Sequence, residues 1–451
     1  MPQRKFGKWL LLASMLIALL IIASLLHLYI NVMPEKQVER EFARIRAQGE
    51  AVTLAELAPP EIPDAENAAL IYEQAFALYI EPLPEEERKL RDISDKDLSL
   101  WTEEDTAAIR EYVEKNQESL HFIHQATDYQ KCRFDIDYTS PSAVQFPHLS
   151  KMRNCARAAA REALLKAKEG EIDAALESFW AGLHIGQALL DEPFYISQLV
   201  RIGAYTTMLS AMEKILSENE ASPEILKRLF EQLNIEEGRR AFARCLQSER
   251  SSQIDKFETV LENPGRLVQM MQGWSGTPTP SSASGTGYGL VLTMARPLLK
   301  RDEVFALNTM RRMIDLAQVP YFKAKAELDK LEQGLEEAPS YHILTRMFFP
   351  ALTRGHLQQA RIEARIGLAQ LALGLKIYKA EKGNYPDRLD DLVAEILPEL
   401  PQDPFTGKDF VYNRRADGFL IYSLGENAKD EGGKWEEKNP YQHDIPWHSQ
   451  R

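Results

Sequence analysis

The sequence predicts a mainly α-helical protein: an N-terminal transmembrane helix, an irregular helical bundle or solenoid, and a small C-terminal α+β unit. Three observations predict this. An uncharged apolar run lies near the N-terminus, helically spaced apolar residues follow proline-marked starts through the middle of the chain, and short strand-like stretches bounded by turn residues appear near the end. A chain of 451 residues has room for two or three domains. The expected divisions are a tail and anchor over 1–34, a helical domain over 35–265, a loop with connecting helices over 266–340, and the α+β unit over 341–451.

From Trp9 to Leu26 the sequence WLLLASMLIALLIIASLL carries no charge. About 20 such residues span the roughly 30 Å hydrocarbon core of a bilayer. The run is longer than the ~7–15 residues of a signal-peptide core, and no A-x-A site follows it, so a retained single-pass anchor is expected. Arg4, Lys5 and Lys8 precede the run, and Lys36, Arg40, Arg44 and Arg46 follow it. Glu35, Glu39 and Glu41 neutralise the far side, and the expectation is a short basic tail inside, the body outside, and an inner-membrane location. The implied partners are the membrane itself and proteins of the cell envelope. Acidic side chains outnumber basic ones 67 to 54, for a net charge of −13, which argues against nucleic acid as a partner.

Helix starts are written into the body. In PPEIPDAENAALIYEQAFALYI, Asp64 is the expected cap, with Ala68, Ala69, Tyr72, Ala75 and Phe76 as the apolar face. Ser222-Pro223 is a second start, with proline at the first helical position where its missing N–H costs nothing. From Ala160 to Pro193 two helices hinge at Gly170. Ala163, Leu164 and Ala167 line the first, and Ile172, Ala175, Leu176, Phe179, Leu183 and Leu190 the second. The pair resembles one tetratricopeptide-type hairpin, without a second copy at the ~34-residue period of an array. GWSGTPTPSSASGTGYG, from Gly273 to Gly289, reads as an exposed loop, since it lacks the lysine and preceding strand of a phosphate cradle. Helical spacing resumes after Pro297 with Val304, Leu307, Met310, Met313 and Ala317.

A long helix is expected from Arg361 to Gly383. Ile362, Ile366, Ala369 and Leu373 form one apolar stripe, and Leu368, Leu371, Leu375 and Tyr378 a neighbouring one. Gly383 stops it, Tyr385-Pro386 turns the chain, Asp387 caps a short segment, and Leu389, Leu392 and Ile396 point inward. Two strands follow, Phe410 to Tyr412 and Phe419 to Tyr422, separated by NRRADG.

The helix running into KGNYP, Asp403-Pro404 followed by Gly407, the aromatic pair Phe410 and Tyr412, the run YSLGENAKDEGG and the closing Asp444-Ile445-x-Trp447 resemble the globular part of the type II secretion major pseudopilin. The resemblance covers about the last fifth of the chain and implies a pilin-like fold of one long helix on a small antiparallel sheet. It also implies calcium, with the Leu424 carbonyl, Asn427 and Asp444 as ligands and Asp430 as an additional one, a hard-oxygen set of the kind calcium takes. Asn427 stands where the family carries aspartate. The pseudopilin leader, cleavage site and fifth-position glutamate have no counterpart here, so assembly into a pseudopilus is not implied. The overall layout is similar to that of large anchored planctomycete proteins, which implies no activity.

No catalytic signature is present. The nine histidines are scattered, and H-E-x-x-H, C-x-x-C and G-x-S-x-G are missing. Asp135 and Asp137 share one side of an extended segment and are expected to face water. His148 is expected to cap or pack. Cys132 and Cys155 are close enough in sequence to form a bridge, but two buried thiols, with Cys245 a third, are the preferred reading. The function expected is therefore a non-catalytic, membrane-anchored scaffold or binding protein linked to secretion or pilus-like machinery. The alternative is an envelope enzyme with a pocket in the helical domain.

Overall fold

The computed structural model describes residues 3–139, 144–263, 266, 296–393, 396–416, 418–434 and 443–449. The Gly273–Gly289 loop lies outside them. Helices dominate, as the sequence predicts. In chain order α1 is Gln3–His27, α2 Met33–Ala47, α3 Ala68–Leu78, α4 Pro84–Asp95, α5 Glu103–Lys115, α6 Gln117–Gln125, α7 Pro147–Lys168 and α8 Ile172–Gln187. They are followed by α9 Tyr195–Glu218, α10 Pro223–Gln232, α11 Ile235–Glu262, α12 Arg296–Ala317, α13 Tyr321–Glu336, α14 Ile343–Lys382 and α15 Asp390–Val393. Three strands, β1 Val411–Arg414, β2 Phe419–Ser423 and β3 Ile445–His448, make an antiparallel sheet in the order β1-β2-β3.

The expected transmembrane anchor is overturned. Among the described residues no helix is long and apolar enough to cross a membrane. Integral membrane partnership, the inner-membrane location and the orientation with the tail inside and the body outside all require such a span, and they fall with it. What remains is a helix whose leucines, isoleucines and Met15 between Ser14 and Leu26 are each more than half exposed.

Local chemistry accounts for most boundaries. Ser222 accepts a hydrogen bond from Ile225 N at 3.5 Å ahead of Pro223, and α10 starts where expected. Gly170 turns α7 into α8 with a φ of +86°, a conformation that a side chain would strain. The hairpin so made buries Ala163, Leu164, Ala167, Ala175, Leu176, Phe179 and Leu183. The cap of α3 is Asn67 rather than Asp64: Asp64–Glu66 forms a 3₁₀ turn, and the Asn67 side-chain Oδ1 accepts from Ala69 N at 3.1 Å. The same amide grips the backbone of Arg133, accepting from its N–H and donating to its carbonyl, each at 2.9 Å. This fixes an extended segment whose Phe134, Ile136 and Tyr138 are buried while Asp135 and Asp137 face out. Cys132, Cys155 and Cys245 are all free and buried.

Helix α14 begins eighteen residues before the apolar stripes suggested, at Ile343 rather than Arg361. A carboxylate from another helix explains the early start. Asp302 of α12, fully buried, accepts from Leu344 N at 2.9 Å, satisfying an orphan backbone donor of the first turn, and from the Thr345 hydroxyl at 2.5 Å. Pro350 then sits within the helix. The first half of α14 contributes Leu344, Phe349 and Leu352 to a core shared with α11, α12 and α13. The second half, from Ala360 to Ile377, joins the larger core formed with α3 to α10 and the sheet. A third, small core pairs Val38 and Ile45 of α2 with Ile254 and Leu307. Gly383 ends the helix in the left-handed conformation expected of it.

Leu371 is fully buried in α14. Leu371→Ala is expected to cost about 2–5 kcal/mol. Urea unfolding should show this as a lower midpoint at unchanged slope.

Candidate functional site

The residues singled out from the sequence gather around the exit of β2, and the local chemistry begins with Asp403. This carboxylate is 1% exposed. Its Oδ1 accepts from Phe405 N at 3.0 Å and the Ser423 hydroxyl at 2.8 Å, and its Oδ2 from Leu424 N at 3.1 Å and the Thr406 hydroxyl at 3.3 Å. Asp403 therefore ties the turn after α15 to the end of β2. Burial still raises its pKa, against the pull of those hydrogen bonds. The chain then turns at Gly425, whose φ is +61° and where an added Cβ would lie 2.3 Å from the His443 carbonyl oxygen. Only glycine fits there.

Each predicted ligand has a definite place in the loop beyond. The Leu424 N–H is spent on Asp403. Asn427 donates from Nδ2 to Glu431 Oε1 at 2.9 Å and accepts from Lys429 N at 2.8 Å, so its side chain braces the loop from within. Asp430 Oδ1 accepts from the Tyr422 hydroxyl at 2.9 Å and Gly432 N at 2.8 Å. Asp444, fully buried, accepts at Oδ2 from Glu431 N at 3.0 Å and Gly433 N at 2.8 Å. Its Oδ1 is buried and lacks a hydrogen-bond partner, as does Glu431 Oε2. Burial, then the neighbouring charges of Glu431 and Asp430, push the Asp444 carboxyl up to about 6.

The fit to calcium is partial. Among the described residues no group of three or more His, Cys, Asp and Glu side chains is arranged to hold a metal ion, and Asn427 is committed elsewhere. Two buried carboxylate oxygens, on Asp444 and Glu431, are nonetheless unspent, and the acids around them repel one another. Glu431 was not legible as a participant, because the fold brings it to Asp444 from thirteen positions away. Asp403 announced itself only as an Asp-Pro turn.

A separate feature lies in the helical body. A cleft of about 1140 Å³ opens between the end of α8, the first half of α11 and the segment around Tyr129 to Cys132. Its histidine, His184, is locked: Nε2 lies 3.0 Å from the Tyr129 carbonyl oxygen and Nδ1 3.0 Å from the Tyr72 hydroxyl, and burial lowers its pKa. Cys132 at the cleft is buried, and burial with nearby Glu192 raises its thiol pKa well above the ordinary value, which removes the thiolate a nucleophile needs. Arg244 is paired with Asp191 at 2.9 Å, and Arg239 with Glu363 at 2.7 Å.

Outside this cleft and the C-terminal loop, three histidine–carboxylate pairs lie among the described residues, the longest His342 Nδ1 with Asp302 Oδ1 at 3.4 Å. His148 Nε2 is 2.8 Å from Glu192 Oε1, close enough for an ion pair but misaligned for a hydrogen bond, and both side chains are buried. The Ser197 hydroxyl donates to Glu192, not to the histidine, so the order Ser–Glu–His is wrong for an activated serine. His124 is 2.7 Å from Glu162 in a second cleft of about 650 Å³, with Lys166 2.9 Å from the other carboxylate oxygen.

Burial of Glu162 opposes its ionisation, but the hydrogen bonds and charges of His124 and Lys166 prevail and bring its pKa to about 2. A carboxylate depressed below its ordinary 4.5 adds stability above that pH, and the contribution fades as pH falls from 4.5 toward 2. Glu162→Gln should therefore cost up to about 3 kcal/mol at neutral pH and progressively less below pH ~4, as measured by urea midpoints across a pH series.

No protein-family model, curated protein or solved structure matches the chain.

Proposed function

We propose that the chain is a non-catalytic binding protein: the cleft beside α11 is a protein-docking site, and the C-terminal helix and sheet form a pilin-like unit. The observation that carries this reading is the state of the groups in the cleft. An enzyme pocket needs an acid, base or nucleophile with a free proton or lone pair aimed at substrate. His184 is held at both nitrogens, the Cys132 thiol stays protonated, Arg239 and Arg244 are neutralised by neighbours, and Glu236, Glu237 and Arg240, which also line the cleft, are exposed to solvent. The cleft, about 1140 Å³, is also open to solvent rather than enclosed. The long helix packed on β2 and β3 supports the pilin-like reading, and with it a link to secretion or pilus-like machinery.

A photo-crosslinking residue at Trp180, half-buried in the cleft wall, is expected to trap a single protein species in cells. The same residue at exposed Gln333 should not. Equal yields at the two positions, or turnover by the purified chain on a panel of hydrolase and transferase substrates, would overturn the reading.

A second reading concerns the C-terminal loop. Asp444 Oδ1 and Glu431 Oε2 are buried without partners, and the acids Asp430, Glu431 and Asp444 crowd together. Calcium would relieve that repulsion, with Asp444, Glu431 and the Leu424 carbonyl as the oxygens that hold it. Calorimetry of the full chain is expected to show calcium binding, and chelator should lower the melting temperature. Asp444→Asn and Glu431→Gln should each weaken binding at least tenfold. Absence of heat at millimolar calcium, or heat unchanged in both variants, would sink it.

A further inference from the structure

The cleft beside α11 is lined by five glutamines, Gln130, Gln187, Gln232, Gln247 and Gln318. Gln187 reaches across to the Gln232 carbonyl oxygen at 3.4 Å. Among the described residues, the side-chain amides of the other four make no hydrogen bond. They stand half-buried or exposed, brought together from the Tyr129 segment, α10, α11 and the turn after α12. An amide carries donors and an acceptor on one group. Several unspent amides along one cleft match a ligand that alternates N–H and C=O along its length.

The floor has a matching shape. Glu236, Arg239, Arg240, Ala243, Arg244 and Gln247 all line the cleft, and their spacing places them on one face of α11. Those eleven steps cover about 16 Å of helix axis, the length of about five residues of extended chain. Arg239 and Arg244 are already paired with Glu363 and Asp191, and the exposed Arg240 shares its face with Glu236 and Glu237, so the cleft offers no excess of one charge and the amides supply neutral hydrogen bonds. Trp180 and Tyr129 add an apolar surface on the wall against which side chains of any sequence can rest.

We propose that the partner enters this cleft as an extended polypeptide segment, held through its backbone by the glutamine amides and tolerant of sequence. This rests on the cleft being a protein-docking site and specifies the state of what docks there. A folded partner presents few unpaired backbone groups, since its own N–H and C=O are satisfied internally. An extended segment presents all of them.

The test compares two forms of one probe. Ribonuclease A, reduced and carboxamidomethylated so that it stays unfolded, is titrated against the full chain by fluorescence anisotropy beside the native, disulfide-bonded enzyme. The unfolded form is expected to bind at least tenfold more tightly. The triple variant Gln130→Ala, Gln247→Ala, Gln318→Ala should lose at least tenfold of that affinity while keeping its melting temperature, and Gln333→Ala should lose none. Poly-L-proline, extended but without N–H groups, should compete at least tenfold less well than a glycine-serine peptide of equal length. Equal binding of both ribonuclease forms, no binding of either, or an unfolded-form affinity indifferent to the glutamines would overturn the proposal. In each case a cross-link confined to Trp180 would leave the docking reading standing, whereas loss of that cross-link too would end both.

Discussion

One helix belongs to two cores, and the rest of the architecture depends on that sharing. At 40 residues and 1.5 Å per residue, α14 is about 60 Å long. Leu344 and Phe349 pack at one end, and Leu371 and Leu375 at the other. Between them a polar seam fixes the register. Arg201 of α9, 1% exposed, donates to Gln198 at 2.7 Å and Gln359 at 2.9 Å. Gln359 donates to Glu363 at 3.1 Å, and Glu363 pairs with Arg239 of α11. Such a seam gains little net energy over apolar packing, but each unsatisfied member would cost the full price of desolvation, so only one alignment of α9, α11 and α14 satisfies it. The cleft wall at Arg239 is an outcome of that alignment.

The same logic governs the C-terminal sheet. Asp403 gathers four donors from two chain segments before any ligand is considered, and Asp444 gathers two more. Both are acids that burial would rather keep neutral. The loop is held together by carboxylates that backbone N–H groups, hydroxyls and the Asn427 amide satisfy, except at Asp444 Oδ1 and Glu431 Oε2, where satisfaction stops.

Legibility from sequence followed the range of the interactions. Ser222-Pro223, Gly170 and Gly383 act within one turn of chain, and each marked its helix end correctly. The stripes from Ile362 to Leu375 declared a buried face because both neighbours of the helix are apolar. The start of α14 was hidden: its cap comes from Asp302, forty-two positions from Leu344, and Pro350 looked like an interruption. Asn67 outcompeted Asp64 because it also serves Arg133, sixty-six positions away. The candidate site divided in the same way. The loop of Leu424, Asn427, Asp430 and Asp444 was found as a neighbourhood, but the roles inside it were not, since which oxygen is spent depends on where Glu431 and Gly433 come to rest. The cleft was invisible, because its lining is drawn from segments up to nearly two hundred positions apart. The apolar run of α1 reads as a span by composition alone, whereas among the described residues no helix is long and apolar enough to cross a membrane.

Sharing α14 between two cores also bears on how the molecule comes apart. Separate cores joined by a linker melt in steps, each at its own temperature. Here, unwinding the segment around Phe349 strips a wall from one core and pulls on the backbone that carries Leu371 in the other. The helix acts as a keel, so the slowest-exchanging amides belong to a unit that crosses both cores and opens only when both do.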